Sequence, residues 1–132
     1  MINHNWSVLC ETSSIDIDTR KLSILNILDS LTIFPDANGK FPDGSITIPV
    51  ATQVVSLWTR QAINQPETGK LRLLFCNPNE QCEKQIELGI DLSKSFFHYT
   101  RVLSSSITVN GPGIYKFVME LQNSPDDSWQ PV

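Results

Sequence analysis

Hydrophobic and polar residues alternate along much of this chain, which is the pattern of strands that bury one face. The alternation is clearest after the Gly-Pro-Gly turn that begins at Gly111. The two alternating sets there are Tyr115, Phe117 and Met119, and Lys116, Val118 and Glu120. We expect the first set to point into the core. We also expect Tyr115 to be a corner tyrosine, with its ring packed inward and its hydroxyl bonded to nearby backbone.

A β-hairpin is predicted between residues 69 and 92. The outgoing strand presents Leu71, Leu73 and Phe75, and the returning strand presents Ile86, Leu88, Ile90 and Leu92. The Asn-Pro-Asn-Glu sequence between them has proline at the second position of a turn. A loop from Asn77 to Gln81 would place Cys76 opposite Cys82, within reach of a disulfide under oxidising conditions.

The first half of the chain predicts three more strands and two loops. Trp6, Val8 and Cys10 share one face of the first strand, and Leu9 lies on the other. Residues 22–28 are apolar on both faces, which indicates a central strand. Residues 12–20 and 34–45 are polar or rich in turn residues, and predict loops. Residues 50–62 fit a strand or a helix, and their β-branched residues favour a strand.

Single residues refine these predictions. Pro49 should lie on an edge strand or at a bulge, because it cannot donate a ladder hydrogen bond. Trp58 should be a core residue. Near the C-terminus, Leu103, Ile107 and Val109 are predicted to share one face of a strand, and residues 123–132 are predicted to form a loose tail.

The pattern as a whole predicts an all-β fold. About seven or eight strands with many turns and no long helix indicate an antiparallel β-sandwich, immunoglobulin-like or C2-like. At 132 residues, the chain should form one domain, residues 1–132.

Charge and composition exclude several classes of function. The net charge is −4 and the basic residues are scattered, which argues against binding to nucleic acid or to an anionic membrane. No apolar run is long enough to span a bilayer. Three cysteines without a secretory signal predict a reducing compartment, with the cytoplasm as the default.

Four segments together resemble a known family. They read "VLCE", "KLSILNILDSLTI", "GKLRLLFCNPNEQ" and "GPGIYKFVMELQ". This order resembles an uncharacterised family of small bacterial proteins with an immunoglobulin-like or C2-like sandwich. The resemblance implies the fold and carries over no catalytic residue. The chain departs from the family pattern at the "NPNE" turn, which lacks glycine, and at Asn26, where a glycine is common.

Candidate chemical sites are few, and each has a plainer alternative. Cys76 and Cys82 could bind zinc with His4, His98 or Cys10, but their spacing favours ordinary strand cysteines. Cys10 and His98 could form a nucleophilic pair, although no local signature accompanies either residue. The loop carboxylates could bind calcium, but solvated turn residues are the favoured interpretation. These carboxylates are Glu11, Asp16, Asp18, Asp36 and Asp43.

The sequence therefore favours a non-catalytic protein-interaction module of a bacterial cytoplasmic system, with no cofactor and no metal. A protein partner or self-association is expected, and a homodimer is the simplest case. Trp129, Phe34 and Phe41 are the candidate interface residues; Trp129 either folds back on the domain or docks on a partner. The alternatives are a small metal- or cysteine-dependent hydrolase and a structural component of a virion or similar particle.

Overall fold

The computed structural model describes residues 1–32 and 44–132, and these residues contain strands but no helix. The described residues form eight strands: β1 (Ile2–Ile15), β2 (Leu22–Ile27), β3 (Ser45–Arg60), β4 (Glu67–Cys76), β5 (Cys82–Leu92), β6 (Phe97–Asn110), β7 (Lys116–Gln122) and β8 (Gln130–Pro131). They form two four-stranded antiparallel sheets. The first sheet has the order β2-β1-β3-β6, and the second has the order β5-β4-β7-β8. The prediction of an all-β, antiparallel protein is confirmed.

The core contains side chains from both sheets. The first sheet contributes Ile2, Val54, Trp58 and Val102, and the second contributes Leu71, Leu73, Ile90, Leu92, Met119 and Leu121. This arrangement is sandwich-like, because each sheet buries one face against the other. Trp58 has no exposed surface, and its Nε1–H donates a hydrogen bond to Thr100 Oγ1 at 2.8 Å. The prediction that Trp58 is a core residue is confirmed.

The turn before β7 is held by Tyr115. Its hydroxyl accepts a hydrogen bond from Asn110 N at 2.7 Å and donates to Asn110 O at 2.8 Å. Its ring stacks on Phe75, with 5.7 Å between ring centroids. The predicted corner tyrosine and the predicted phase of β7 are both confirmed, since Met119 is a core residue and Lys116 is exposed.

The predicted hairpin is β4 and β5, and its turn packs against the Tyr115 corner. Asn77 closes the turn, because its side-chain oxygen accepts hydrogen bonds from Asn79 N and Gln81 N. Gly113 has a φ of 142°, and a Cβ atom there would overlap the ring of Pro78. Only glycine tolerates both this φ and this close approach. The hairpin turn and the Tyr115 corner are therefore in contact.

Residues 50–60, which fitted a strand or a helix, belong to strand β3. The register of β3 against β6 shifts between Pro49 and Thr52, so Pro49 lies at a bulge, as predicted. Pairing of β3 with β1 is confined to Gln53–Arg60, so Pro49 does not face β1. The missing donor of Pro49 is therefore tolerated.

Two strand predictions are wrong. The first concerns β2, which is the edge of the first sheet and pairs with β1 alone among the described residues. Its second apolar set is exposed instead of packed, since Leu25 is 57% and Ile27 is 59% exposed. Apolar residues on both faces do not by themselves make a strand central.

The second wrong prediction concerns β6. Leu103 is 69% exposed, whereas its neighbour Val102 belongs to the core, so Leu103 does not share a face with the buried Val109. The register shift opposite residues 104–106 separates the two halves of the strand, and alternation cannot be extended across it.

Three further segments, two connecting loops and the C-terminal tail, differ from expectation or lie outside the described structure. Residues 12–15 extend β1, so the predicted loop 12–20 is a hairpin turn that begins only at Asp16. Most of the predicted loop 34–45 lies outside the described residues. Residues 123–132, predicted as a loose tail, turn back along β7, and Val132 N donates to Met119 O at 3.0 Å.

The Tyr115 corner makes a specific prediction about stability. Tyr115→Phe removes the hydroxyl bonds and should lower the free energy of unfolding by about 1 kcal/mol. Tyr115→Ala also removes the ring and should cost about 3 kcal/mol. Lys116→Ala, the matched control on the exposed side, should stay within about 0.5 kcal/mol of wild type. Urea denaturation measures all three, and equal midpoints for Tyr115→Ala and Lys116→Ala would contradict the role of the corner.

Candidate functional site

The outer face of the first sheet is unusually apolar. Val54, Ser56 and Trp58 of β3 are buried between the sheets, so the alternating residues Val55 and Leu57 point to the opposite face, where Val55 has no exposed surface of its own. Register then places the following residues on that outer face: Trp6, Val8, Cys10, Gln53, Thr59, Phe97, Tyr99, Arg101 and Leu103. No carboxylate is among them, although acidic residues exceed basic ones in the chain.

Four of these residues form a cluster that we name the outer aromatic patch: Trp6, Leu57, Phe97 and Tyr99. Leu57 pairs with Trp6 on one side and with Tyr99 on the other. The Trp6 and Tyr99 ring centroids are 6.1 Å apart, and those of Phe97 and Tyr99 are 5.5 Å apart. Phe97 is 43% exposed, so the patch is open to solvent at one end.

A bulge in β1 creates this patch. The register of β1 against β3 shifts between His4 and Trp6. Ile2 packs in the core before the shift, and Leu9 packs against the core after it. Trp6 and Val8 consequently point away from the core. The predicted grouping of Trp6, Val8 and Cys10 on one face opposite Leu9 is correct, and that face is the outer one.

The outer face of the second sheet is charged and paired. The Arg72 guanidinium forms an ion pair with Glu120 and lies 4.5 Å from the centre of the Trp129 ring. Lys70 Nζ lies 3.4 Å from Glu87 Oε1 on the same sheet. This is the usual polar outer face of an antiparallel sheet. The two outer faces of the molecule therefore differ in kind.

Polar side chains form a short chain at one end of the core. His4 Nε2 lies 2.7 Å from Ser7 Oγ, which lies 2.7 Å from Ser56 Oγ. The His4 ring is 4.9 Å from the Trp58 ring. Burial lowers the pKa of His4 below its ordinary value of 6.5, against a smaller opposing effect of a hydrogen bond with the Trp6 backbone. His4 therefore acts as a neutral hydrogen-bonding group near pH 7.

A cleft of about 710 Å³ opens at the corner end of the two sheets. Its apolar wall includes Leu9, Val54, Phe75, Ile107, Val109 and Phe117. Tyr115 also lines it, so the residue that holds the corner shapes the cleft. Asp29 contributes a carboxyl group to the lining. The hydroxyl-bearing residues Ser7, Ser30, Thr32 and Thr52 also belong to its described lining, which is predominantly apolar.

Cys10 and His98, the alternative nucleophilic pair, are not brought together. Cys10 lies opposite Gln53 and His98 lies opposite Trp58, which is five residues further along β3. That spacing is roughly 16 Å at about 3.3 Å per residue. Cys10 has no exposed surface, and burial raises the pKa of its thiol. A buried, protonated thiol is a poor nucleophile.

The residues considered as alternative metal ligands are also separated or take part in other interactions. Cys76 and Cys82 pair in register and are joined by a disulfide. Asp16 Oδ1 accepts hydrogen bonds from Asp18 N and Thr19 N, which lower the pKa of this exposed carboxyl group. In the parts of the chain that the structure describes, no three His, Cys, Asp or Glu side chains are grouped to hold a metal ion.

The three predicted interface residues have different outcomes. Phe34 and Phe41 lie outside the described residues. Trp129 is half-buried beside Arg72, next to the strand β8.

The outer aromatic patch was missed, because alternation separates two faces without saying which one is buried. The chemical signal for it was the excess of large apolar residues over charged ones in β1 and β6.

Comparison with known proteins adds no assignment. Compared with protein-family models, with curated proteins and with solved structures, the chain matches none. Across residues 1–32 and 44–132, no helix is long and apolar enough to cross a membrane.

The disulfide should stabilise the hairpin by restricting the unfolded chain. Replacing both Cys76 and Cys82 by Ala should lower the free energy of unfolding by about 2 kcal/mol, as expected for a loop this short. Dithiothreitol should lower the melting temperature of the wild type and leave that of the double variant unchanged. An equal effect of dithiothreitol on both proteins would contradict a disulfide that bears on stability.

His4 should make stability depend on pH. Because its folded pKa is below 6.5, the unfolded state binds more protons just below that pH. The stabilising contribution is complete above pH 6.5 and is lost as pH falls through the window beneath it. Urea denaturation at several pH values should show this loss in the wild type and its absence in His4→Gln. The lowered pKa values of Asp16 and Asp91 make stability depend on pH in a separate range, below 3.8, and do not overlap the His4 effect. Parallel pH profiles for the two proteins would exclude His4 as the cause.

Proposed function

We propose that this chain is a non-catalytic protein-binding module with an immunoglobulin-like sandwich, and that it binds its partner with the outer face of the first sheet. The observation that carries the proposal is the difference between the two outer faces. One is charged and ion-paired, and the other carries the outer aromatic patch without a carboxylate.

The order of the strands supports the immunoglobulin-like type. The order β5-β4-β7-β8 corresponds to C′-C-F-G of that fold, and β1-β3-β6 corresponds to A-B-E. In this correspondence β7 is strand F, and Tyr115 lies just before it, where the corner tyrosine of such domains is found. Strand β2 is then an addition at the edge beside strand A.

The composition of the face supports recognition of a protein. Tyr, Trp and Phe are enriched at the centres of protein interfaces, where charged residues are depleted. Trp and Tyr also supply most of the binding energy in many complexes. Trp6 and Tyr99 lie together, and the polar residues Gln53 and Thr59 lie on the same face beside them. This arrangement is typical of an apolar centre with a polar rim.

The inaccessible Cys10 thiol and its distance from His98 support a non-catalytic role over the hydrolase alternative.

The compartment stays a prediction. A cytoplasmic location was expected from the sequence, whereas the disulfide between Cys76 and Cys82 favours an oxidising environment, where such bonds persist.

A capture experiment tests the proposed function. Wild-type protein and the variants Trp6→Ser and Tyr99→Ser should be immobilised and exposed to a lysate of cells that express the chain. Ile63→Ser is the matched control, because Ile63 is 70% exposed, lies between β3 and β4 and does not belong to the patch. Mass spectrometry should find proteins that the wild type and the control retain and both patch variants lose at least about tenfold. Melting curves verify that each variant is folded, and identical captured sets for all four proteins would refute the proposal.

A further inference from the structure

Three of the four strands at the sheet edges carry features that prevent pairing with another chain. Strand β8 has two residues, one of them Pro131. Strand β2 has six residues and is interrupted by Asn26, with a φ of 56°. Strand β5 carries four charged residues: Glu83, Lys84, Glu87 and Asp91. Short length, irregular backbone and charge are the usual protections of an edge.

The first half of strand β6, from Phe97 to Leu103, has a regular backbone and only one permanently charged residue, Arg101. The whole strand has 14 residues, from Phe97 to Asn110, without proline, lysine or a carboxylate. Within residues 1–32 and 44–132, it pairs only with β3. Its half from Phe97 to Leu103 keeps one continuous register against β3, so its outer backbone edge is straight enough to accept a strand. The only charged side chain in that half, apart from the titratable His98, is Arg101.

We propose that β6 pairs antiparallel with β6 of a second copy of this chain, with Thr100 on the two-fold axis. The inference rests on the proposed function, because the β6 edge borders the outer face that the function assigns to partner binding. Phe97 would lie opposite the second copy's Leu103, and Tyr99 would lie opposite the second copy's Arg101. The first sheet of one copy then continues into the first sheet of the other, and the outer aromatic patches of the two copies become neighbours.

The chemistry of the paired residues favours a second copy over a foreign peptide. Phe97 and Leu103 are 43% and 69% exposed, and both lose water in this register. A guanidinium beside the face of Tyr99 forms a favourable cation–π contact. Arg101 donates to Ser13 O at 3.3 Å in the single copy, so its side chain would turn toward the axis to form this contact. No carboxylates or lysines oppose each other across the axis. Two-fold pairing forms every one of these contacts twice, as is usual in a symmetric dimer.

Reciprocal charge variants test both the dimer and its register. Leu103→Lys and Phe97→Glu should each weaken the homodimer about tenfold, because each places two charges against apolar residues. In an equimolar mixture, the introduced lysine of one chain meets the introduced glutamate of the other, and the second Phe97–Leu103 pair is intact. The mixture should therefore recover dimerisation to within about threefold of wild type. Sedimentation velocity over a wide concentration range measures each constant.

Ile63→Lys is the control, since it adds the same charge at a residue that is 70% exposed outside β6. It should dimerise like the wild type, and melting curves should show all variants folded. Concentration-dependent protection of the β6 amides from hydrogen exchange should accompany the dimer.

Three results would overturn the inference. The first is a wild type that stays monomeric at every concentration, even if it binds a foreign extended peptide at β6. The others are a dimer that neither charge variant weakens, and weakened variants whose mixture does not recover dimerisation. None of them refutes the proposed function, which fails only if the patch variants capture the same proteins as the control.

Discussion

The two sheets are held together by side chains, because the backbone ladders run within each sheet and not between them. Trp58 is the largest fully buried side chain in this contact. Its indole N–H would be costly to bury alone, and Thr100 on the neighbouring strand satisfies it. Strand β3 lies between β1 and β6, and Ser56 pairs with Thr100 so that the Trp58 indole reaches the Thr100 hydroxyl. The outward position of Leu57, and of the aromatic residues on either side of it, follows from that constraint.

Sequence pattern predicted the elements that depend on local alternation. The β4–β5 hairpin, the phase of β7 and the inward position of Trp58 follow from period-two patterning and turn residues. The pattern failed where the register shifts. Leu103 and Val109 are separated by the register shift at Pro49; the proline predicts the bulge in β3 but does not reveal its effect on the phase of β6. Strand β2 was misassigned because residues apolar on both faces read as central, whereas Leu25 is exposed at the edge.

The candidate site was less predictable than the fold. The register of Cys76 opposite Cys82 followed from the length of the loop between them, and the structure joins the two residues. The outer aromatic patch did not follow, since its residues come from three strands that are distant in sequence. Only the bulge between His4 and Trp6 turns Trp6 outward, and a bulge is set by the whole sheet and not by neighbouring residues.

The contact between Gly113 and Pro78 has a consequence for how the chain can change its length. Two connections that are far apart in sequence touch there, so a side chain added at Gly113 would displace Pro78. The turn from Asp16 to Lys21 is exposed and holds itself together with its own hydrogen bonds. Grafted peptides and natural insertions should therefore be tolerated better at the Asp16 turn than at the place where Pro78 meets Gly113.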